Sequence, residues 1–318
     1  MFIKRHLWAV VYGFMLMAFT IYLALDTFVI ARVYTVVPQT QSNTVAQKDD
    51  SSFAPVQENG RVPSSVSSDF TGKATDISET SYRDENISIT ITEYQEYETS
   101  IYVADVNVSS AEYLQSAFAH NSYGRNVTAK TSEIAKSVGA ILAINGDYCG
   151  AQERGYVIRN GVLYRDTASK NQEDLVIYSD GTFGIIFEDE ITAEELLTNG
   201  AIQVLSFGPA LVTDGIISVE EDEEVGKAKA SNPRTAIGII DNLHYVMVVS
   251  DGRTNESAGL SLSQLAEFMT GLGVTTAYNL DGGGSSTMYF NGKIINNPTT
   301  NGKSIRERSV SDIVYIGY

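Results

Sequence analysis

One cysteine, three histidines and one tryptophan in 318 residues leave little equipment for several kinds of chemistry. Cys149 alone cannot close an intramolecular disulfide, and a lone cysteine reads as a small buried apolar residue. His6, His120 and His244 are scattered, so a Cys/His zinc site lacks ligands. The chain has no GxGxxG, P-loop, HExxH or GxSxG motif, which speaks against nucleotide cofactors, zinc proteolysis and α/β-hydrolase chemistry; no cofactor is expected. Nor does any segment repeat at a fixed period. Positive charge is scarce: 22 Lys and Arg stand against 39 Asp and Glu, a formal net charge of −17. Such a chain is repelled by nucleic acid, and any phosphate it handles must meet a local positive site.

Charge is absent altogether from Leu7 to Leu25, "LWAVVYGFMLMAFTIYLAL". This run is close to the ~20 apolar residues that cross a bilayer, and residues 7–25 read as one transmembrane helix. Lys4 and Arg5 before it make residues 1–6 cytoplasmic and send the rest outside, a single-pass cell-membrane arrangement. The competing reading, a cleaved signal peptide, calls for a shorter apolar core and a small-residue cleavage site. Residues 26–86 form a polar extracellular linker, because from Val36 to about Glu85 the Ser, Thr, Gln, Asp and Pro content cannot bury enough surface to fold. Removal of residues 1–35 is expected to leave a soluble, active domain.

The globular domain, residues 87–318, opens with the alternating "ISITITEY" and "SIYVADVNV" of paired strands. Asn160-Gly161, Asp180-Gly181 and Asn291-Gly292 sit between apolar runs and favour the positive φ of hairpin turns. Helices are few. "SAEYLQSAFAH" after Ser109 is one expectation, and "SLSQLAEFMTGLG" is another, with Ser261 and Gln264 spaced as a capping box. The fold class is α+β, a mixed, largely antiparallel sheet with a few packed helices. The acidic run from Glu220 to Glu224 reads as a solvated loop, close enough to Arg234 to serve as a mobile lid.

The stretch "NLDGGGSSTMYF" places Asp281 at the end of an apolar strand, followed by Gly282, Gly283, Gly284, Ser285 and Ser286. Three successive glycines cost more chain entropy than a turn requires, and together with the serine hydroxyls they can cradle an anion or a sugar. A bare strand turn is the alternative. "AILAINGDYCG" ends a second strand in Asn145, Gly146 and Asp147. Two strand-end carboxylates suit glycosyl transfer, although spacing alone does not say whether they converge. Arg234 in "NPRTAIGI", and Asp251 with Arg253 in "VVSDGRTN", flank strands; in so acidic a chain these arginines are candidate phosphate binders. Asp147, Asp251 and Asp281 could share a calcium ion, but their spacing is no metal fingerprint, and activity without a metal is expected.

"INGDY", "FGPALVTDG", "NPRTAIG", "VSDGR", "NLDGGGSSTMYFNGKIINNP" and "ERSVSDIVYI" occur in the order seen in the phosphodiester glycosidase family, which the chain resembles from about Ile87 to Tyr318. The resemblance implies a glycosidase that releases a sugar from a phosphodiester and leaves a phosphomonoester. It implies site membership for Asn145, Gly146, Asp147, Arg234, Asp251, Arg253, Asp281 and residues 282–286. Either Asp281 or Asp147 would act on water or the anomeric carbon, with the glycine-serine loop and the arginines around the phosphate. The substrate expected is a sugar-phosphate glycan of the cell envelope or an exopolysaccharide. A surface polysaccharide-binding module without turnover is the alternative.

Overall fold

The structure, a computed structural model, describes residues 7–37, 76–220 and 231–318. Residues 1–6, expected in the cytoplasm, most of the expected linker and nearly all of the acidic run after Glu220 lie outside the described residues. Helix Leu7–Phe28 is the one helix among the described residues long and apolar enough to cross a bilayer, and the domain leaves it uncovered.

All strand pairs among the described residues are antiparallel, and they build three large sheets. The largest has nine strands in the order Ile216–Ile217, Ala210–Thr213, Thr276–Leu280, Thr235–Asp241, His244–Ser250, Thr99–Val108, Ile87–Glu96, Ser81–Arg83 and Asp76–Ile77. Alternation along its strands divides the core in two. Tyr245, Met247, Val249, Ile237 and Ile89 face one side, where Leu142, Ile144, Leu175, Ile177 and Val314 from the two five-stranded sheets cover them. Val246, Val248, Ala236 and Val103 face the other side, against Leu262, Leu265, Ala266 and Met269 of helix Leu262–Gly271. Each fully buried aliphatic side chain contributes about 1.5–3 kcal/mol, so a one-residue slip in any of these strands would exchange two filled faces.

The expected helix over "SLSQLAEFMTGLG" forms with its capping box: Ser261 Oγ accepts from the Gln264 amide at 3.1 Å, and the Ser261 amide donates to Gln264 Oε1 at 3.0 Å. The three hairpins also form, with Asn160 and Gly161 at φ 51° and 75°, and Asn291 and Gly292 at φ 44° and 89°. "SAEYLQSAFAH" is not a helix. Its centre is strand Leu114–Phe118, paired with Asp312–Ile316, and it alternates buried and half-buried residues. Pairing with a distant strand overrides local helix propensity there.

The span read as a linker is corrected at both ends. Strands Asp76–Ile77 and Ser81–Arg83 extend the nine-stranded sheet beyond Ile87–Glu96. Strand Arg32–Val36 pairs with Ser122–Arg125, so a cut after residue 35 removes part of an ordered ribbon. Strands of two and three residues are too short to register in composition, and Arg32–Val36 has its ladder partner far along the chain, at Ser122–Arg125.

Candidate active site

Neighbouring antiparallel strands bring chemistry to one edge of the nine-stranded sheet. Thr276–Leu280 ends where Thr235–Asp241 begins, with Thr235 opposite Leu280, and His244–Ser250 ends beside them, with Val249 opposite Thr235. Asp281, Arg234 and Asp251 therefore leave the same edge. Strand Leu142–Asn145 of a five-stranded sheet joins them through the Asn145 amide. Its Nδ2 donates to the Asp281 carbonyl at 2.6 Å, and its Oδ1 accepts from Thr235 Oγ1 at 2.9 Å and the Thr287 amide at 3.2 Å. Asn145 is fully buried, so it acts as a clamp on three segments and not as a surface contact.

The two candidate carboxylates converge at the backbone, where the Asp281 amide donates to the Gly146 carbonyl, but their surroundings differ. Asp147 has no exposed surface. Its Oδ1 accepts from the Cys149 amide at 3.1 Å; its Oδ2 accepts from the Ser206 amide at 2.8 Å and meets Arg159 Nη2 at 2.8 Å. Arg159 also holds Asp312 Oδ2 through Nε at 3.0 Å and Nη2 at 2.9 Å. Two buried carboxylates thus share one guanidinium, and burial with the neighbouring Asp147 charge raises Asp312 to about 6. Gly146 is required beside this triad, because a Cβ there would lie 2.3 Å from Asp312 Oδ1.

Asp281 keeps a side chain 12% exposed. Its Oδ2 accepts from Ser285 Oγ at 2.6 Å and Arg308 Nη2 at 2.7 Å. Burial raises its proton affinity, helped by the Asp147 charge, and Arg308 and Ser285 oppose that rise. Arg308 is 40% exposed and also donates through Nε to Ser285 Oγ at 2.8 Å. Arg253, at φ 64°, donates to Asn232 Oδ1 and, through Nη1 at 2.6 Å, to the Thr300 carbonyl. Burial and the charges of Arg308 and Arg234 depress its proton affinity, which brings Arg253 within the field of both. Arg234 is buried, with Nε donating to the Leu260 carbonyl at 2.9 Å. A concentration of positive charge inside so acidic a chain favours an anion.

The glycines answer a packing demand. A Cβ on Gly282 would lie 2.9 Å from the Pro233 carbonyl, one on Gly283 2.8 Å from Arg253 Nη2, and one on Gly284 2.4 Å from Thr300 Oγ1; Gly283 also has φ 62°. The amides of Gly283, Ser285 and Ser286 donate to carbonyls of Pro233, Gly282 and Gly283, so these three amides hold the loop's own shape. The loop presses against the walls that carry Arg234 and Arg253, and guanidiniums and the Ser285 hydroxyl supply the polar groups. Ser286 is buried below, its carbonyl accepting from Asn296 Nδ2 at 3.0 Å. Asp251 takes a supporting position, its oxygens accepting from the Asn297 amide at 2.8 Å, Asn297 Nδ2 at 3.0 Å and Asn296 Nδ2 at 3.2 Å.

Three members of this arrangement carried no sequence assignment: Arg159, Asp312 and Arg308. The last two lie in "ERSVSDIVYI", where the motif itself was the signal; Arg159 looked like one residue of a hairpin. Asp147, Cys149 and Asp312 are close enough together to ligate an ion. The donor set does not fit one, because Arg159 already brings a positive charge to both carboxylates and burial pushes the Cys149 thiol well up.

The sequence pattern of the phosphodiester glycosidase family matches residues 138–317, more than half of the chain. The chain belongs to that family. It is 31% identical over 190 residues to the SPbeta prophage-derived uncharacterized protein YomE of Bacillus subtilis, covering 58% of this chain and 29% of that protein. It is 30% identical over 188 residues to N-acetylglucosamine-1-phosphodiester alpha-N-acetylglucosaminidase of Bos taurus, covering 54% and 35%. The chain thus spans about a third of the length of these relatives. In three dimensions it is similar to the catalytic domain of the zebrafish N-acetylglucosamine-1-phosphodiester alpha-N-acetylglucosaminidase auto-inhibited by its pro-peptide. That match has a TM-score of 0.58 at 24% identity and covers 73% of this chain and 83% of that one, a shared fold.

Proposed function

We propose that this protein hydrolyses a sugar-1-phosphodiester to free sugar and a phosphomonoester, with Asp281 as the carboxylate at the anomeric carbon. The observation that carries this reading is Asp281 itself, held by Ser285 and Arg308 beside Arg253 and Arg234. A departing phosphomonoester is far less basic than an alkoxide, so proton donation to it matters less than charge stabilisation. Preorganised guanidiniums meet that demand. Asp147, with both oxygens occupied and no exposed surface, is a strut beneath Asp281, and Asp281 activates water or stabilises the positive anomeric carbon.

The named activity of the bovine relative supports N-acetylglucosamine as the sugar to test first. Helix Leu7–Phe28 supports a membrane-anchored protein with its N-terminus in the cytoplasm and the domain outside, acting on envelope or exopolysaccharide glycans. The test is release of reducing sugar by the full chain in detergent micelles. Asp281→Asn is expected to lower turnover by about 10²- to 10⁴-fold without unfolding the domain. An unchanged rate in the folded variant contradicts the assignment.

A further inference from the structure

Between helix Leu7–Phe28 and strand Arg32–Val36 only three residues intervene, which at full extension reach about 10 Å. The 22-residue helix is about 33 Å long, enough to cross the ~30 Å hydrocarbon layer and little more. The strand it leads into is no loose tether. It pairs with Ser122–Arg125 in the register Arg32 to Arg125, Val33 to Gly124 and Val36 to Ser122, and the Val37 amide continues the ladder to the Asn121 carbonyl at 2.8 Å. Gly124 permits this approach, since a Cβ there would lie 2.1 Å from the Arg32 carbonyl oxygen. Asn126 closes the end of the helix, its Nδ2 donating to the carbonyls of Thr27 at 3.2 Å and Ile30 at 3.1 Å.

This ribbon exposes an apolar surface the domain does not cover. Phe28, Val29, Ile30, Val33, Tyr34 and Val36 are all exposed and follow on from the helix, with Arg32, paired to Asp26, among them. A patch that begins at the bilayer end of a spanning helix is covered by the lipid interface. Its neighbours are the loops of the candidate site. The Asn126 amide donates to the Gly150 carbonyl, three residues past Asp147, and Ala129 pairs with Val310, two residues past Arg308.

We infer that the ribbon of Arg32–Val36 and Ser122–Arg125 is an interfacial clasp that seats the candidate site at the membrane surface, and that the phosphodiester cleaved there has a membrane lipid as its second ester. The lipid-borne substrate rests on the hydrolase reading above; the clasp does not. A chain of net charge −17 would be pushed away from an anionic leaflet if its tether were free. Backbone hydrogen bonds and apolar contact hold it down against that repulsion.

The test uses the full chain in liposomes. Trp8→Phe leaves no tryptophan, and Val36→Trp or Ile216→Trp then adds a single reporter, the second on the exposed far strand of the nine-stranded sheet. Lipids brominated near the headgroup are expected to quench the reporter at position 36 and leave that at 216 unaffected; equal quenching at both, or none at 36, overturns the clasp. Hydrolysis is then compared on one sugar-1-phosphodiester carrying either a lipid or a short soluble alcohol. The wild type is expected to favour the lipid form by about ten-fold or more through its raised effective concentration. Val33→Asp with Val36→Asp and a flexible Gly/Ser insert of about 20 residues after Ala31, reaching roughly 25 Å, should abolish that preference with soluble turnover intact. An unchanged preference in that variant overturns the clasp as its source, and no preference in the wild type overturns the lipid substrate. Turnover of neither form removes the hydrolase reading and the lipid substrate together, while the quenching still decides the clasp.

Discussion

Arg308 Nη2 stands 2.7 Å from Asp281 Oδ2, a cation with a 40% exposed side chain against a carboxylate with one 12% exposed. The pair sets the protonation of the proposed catalytic group, because burial raises Asp281 and Arg308 opposes the rise. Arg308→Met should move the acidic limb of the rate profile to higher pH and lower kcat/KM by about 10²- to 10³-fold, with Arg308→Lys restoring part of both. A lower rate with an unmoved limb would reduce Arg308 to a packing role.

Asp147 and Asp174 are both buried acids, and their isosteric amides should behave oppositely. Asp147→Asn takes one carboxylate from Arg159 and should destabilise the fold by about 3–5 kcal/mol, the usual cost of breaking a buried pair. Asp174 is fully buried, and burial, then the neighbouring Glu188, pushes its carboxyl to about 10. That rise favours the neutral form of Asp174 near neutral pH, so Asp174→Asn should change the urea midpoint little. Equal losses in the two variants would contradict the charge assignment.

Asp312 makes stability depend on pH. Its folded value of about 6 lies above the ordinary 3.8, so between those values the unfolded chain gives up this proton first and folding loses stability as pH rises. The wild type should lose ground to Asp312→Asn from pH 4 to above pH 6 and stay level beyond. Urea denaturation of both across that range checks the sign; a constant difference would show that Asp312 is ionised throughout.

How much of this was legible in the sequence varies with the range of the interaction. The membrane-length helix and the Asn160-Gly161 hairpin are local and could be read directly. Strand Leu114–Phe118 could not, because it is made by pairing with Asp312–Ile316 on the far side of the domain. The acids at Asp147 and Asp281 were visible, but their different roles depend on Arg159, Ser206 and Arg308, which approach only through the fold. The glycines stood out in the sequence by their number alone; their close approach to Pro233, Arg253 and Thr300 is a packing demand that only the fold displays.

That close approach can be tested at Gly284. A Cβ would lie 2.4 Å from Thr300 Oγ1 and 3.1 Å from Thr300 Cα, and the Thr300 carbonyl holds Arg253 Nη1. Gly284→Ala should displace Thr300, loosen Arg253 and raise KM by about ten-fold, with kcat less affected if Arg253 serves ground-state binding of the phosphate. An unaltered KM would separate this wall from the substrate.

The measurement that bears most directly on the hydrolase reading is which bond of the phosphodiester breaks. Asp281 and the surrounding arginines suit attack at the anomeric carbon with a phosphomonoester leaving. Hydrolysis in heavy-oxygen water should place the label on the C1 hydroxyl of the released sugar. Label in the released phosphate would show cleavage at phosphorus and contradict the glycosidase mechanism.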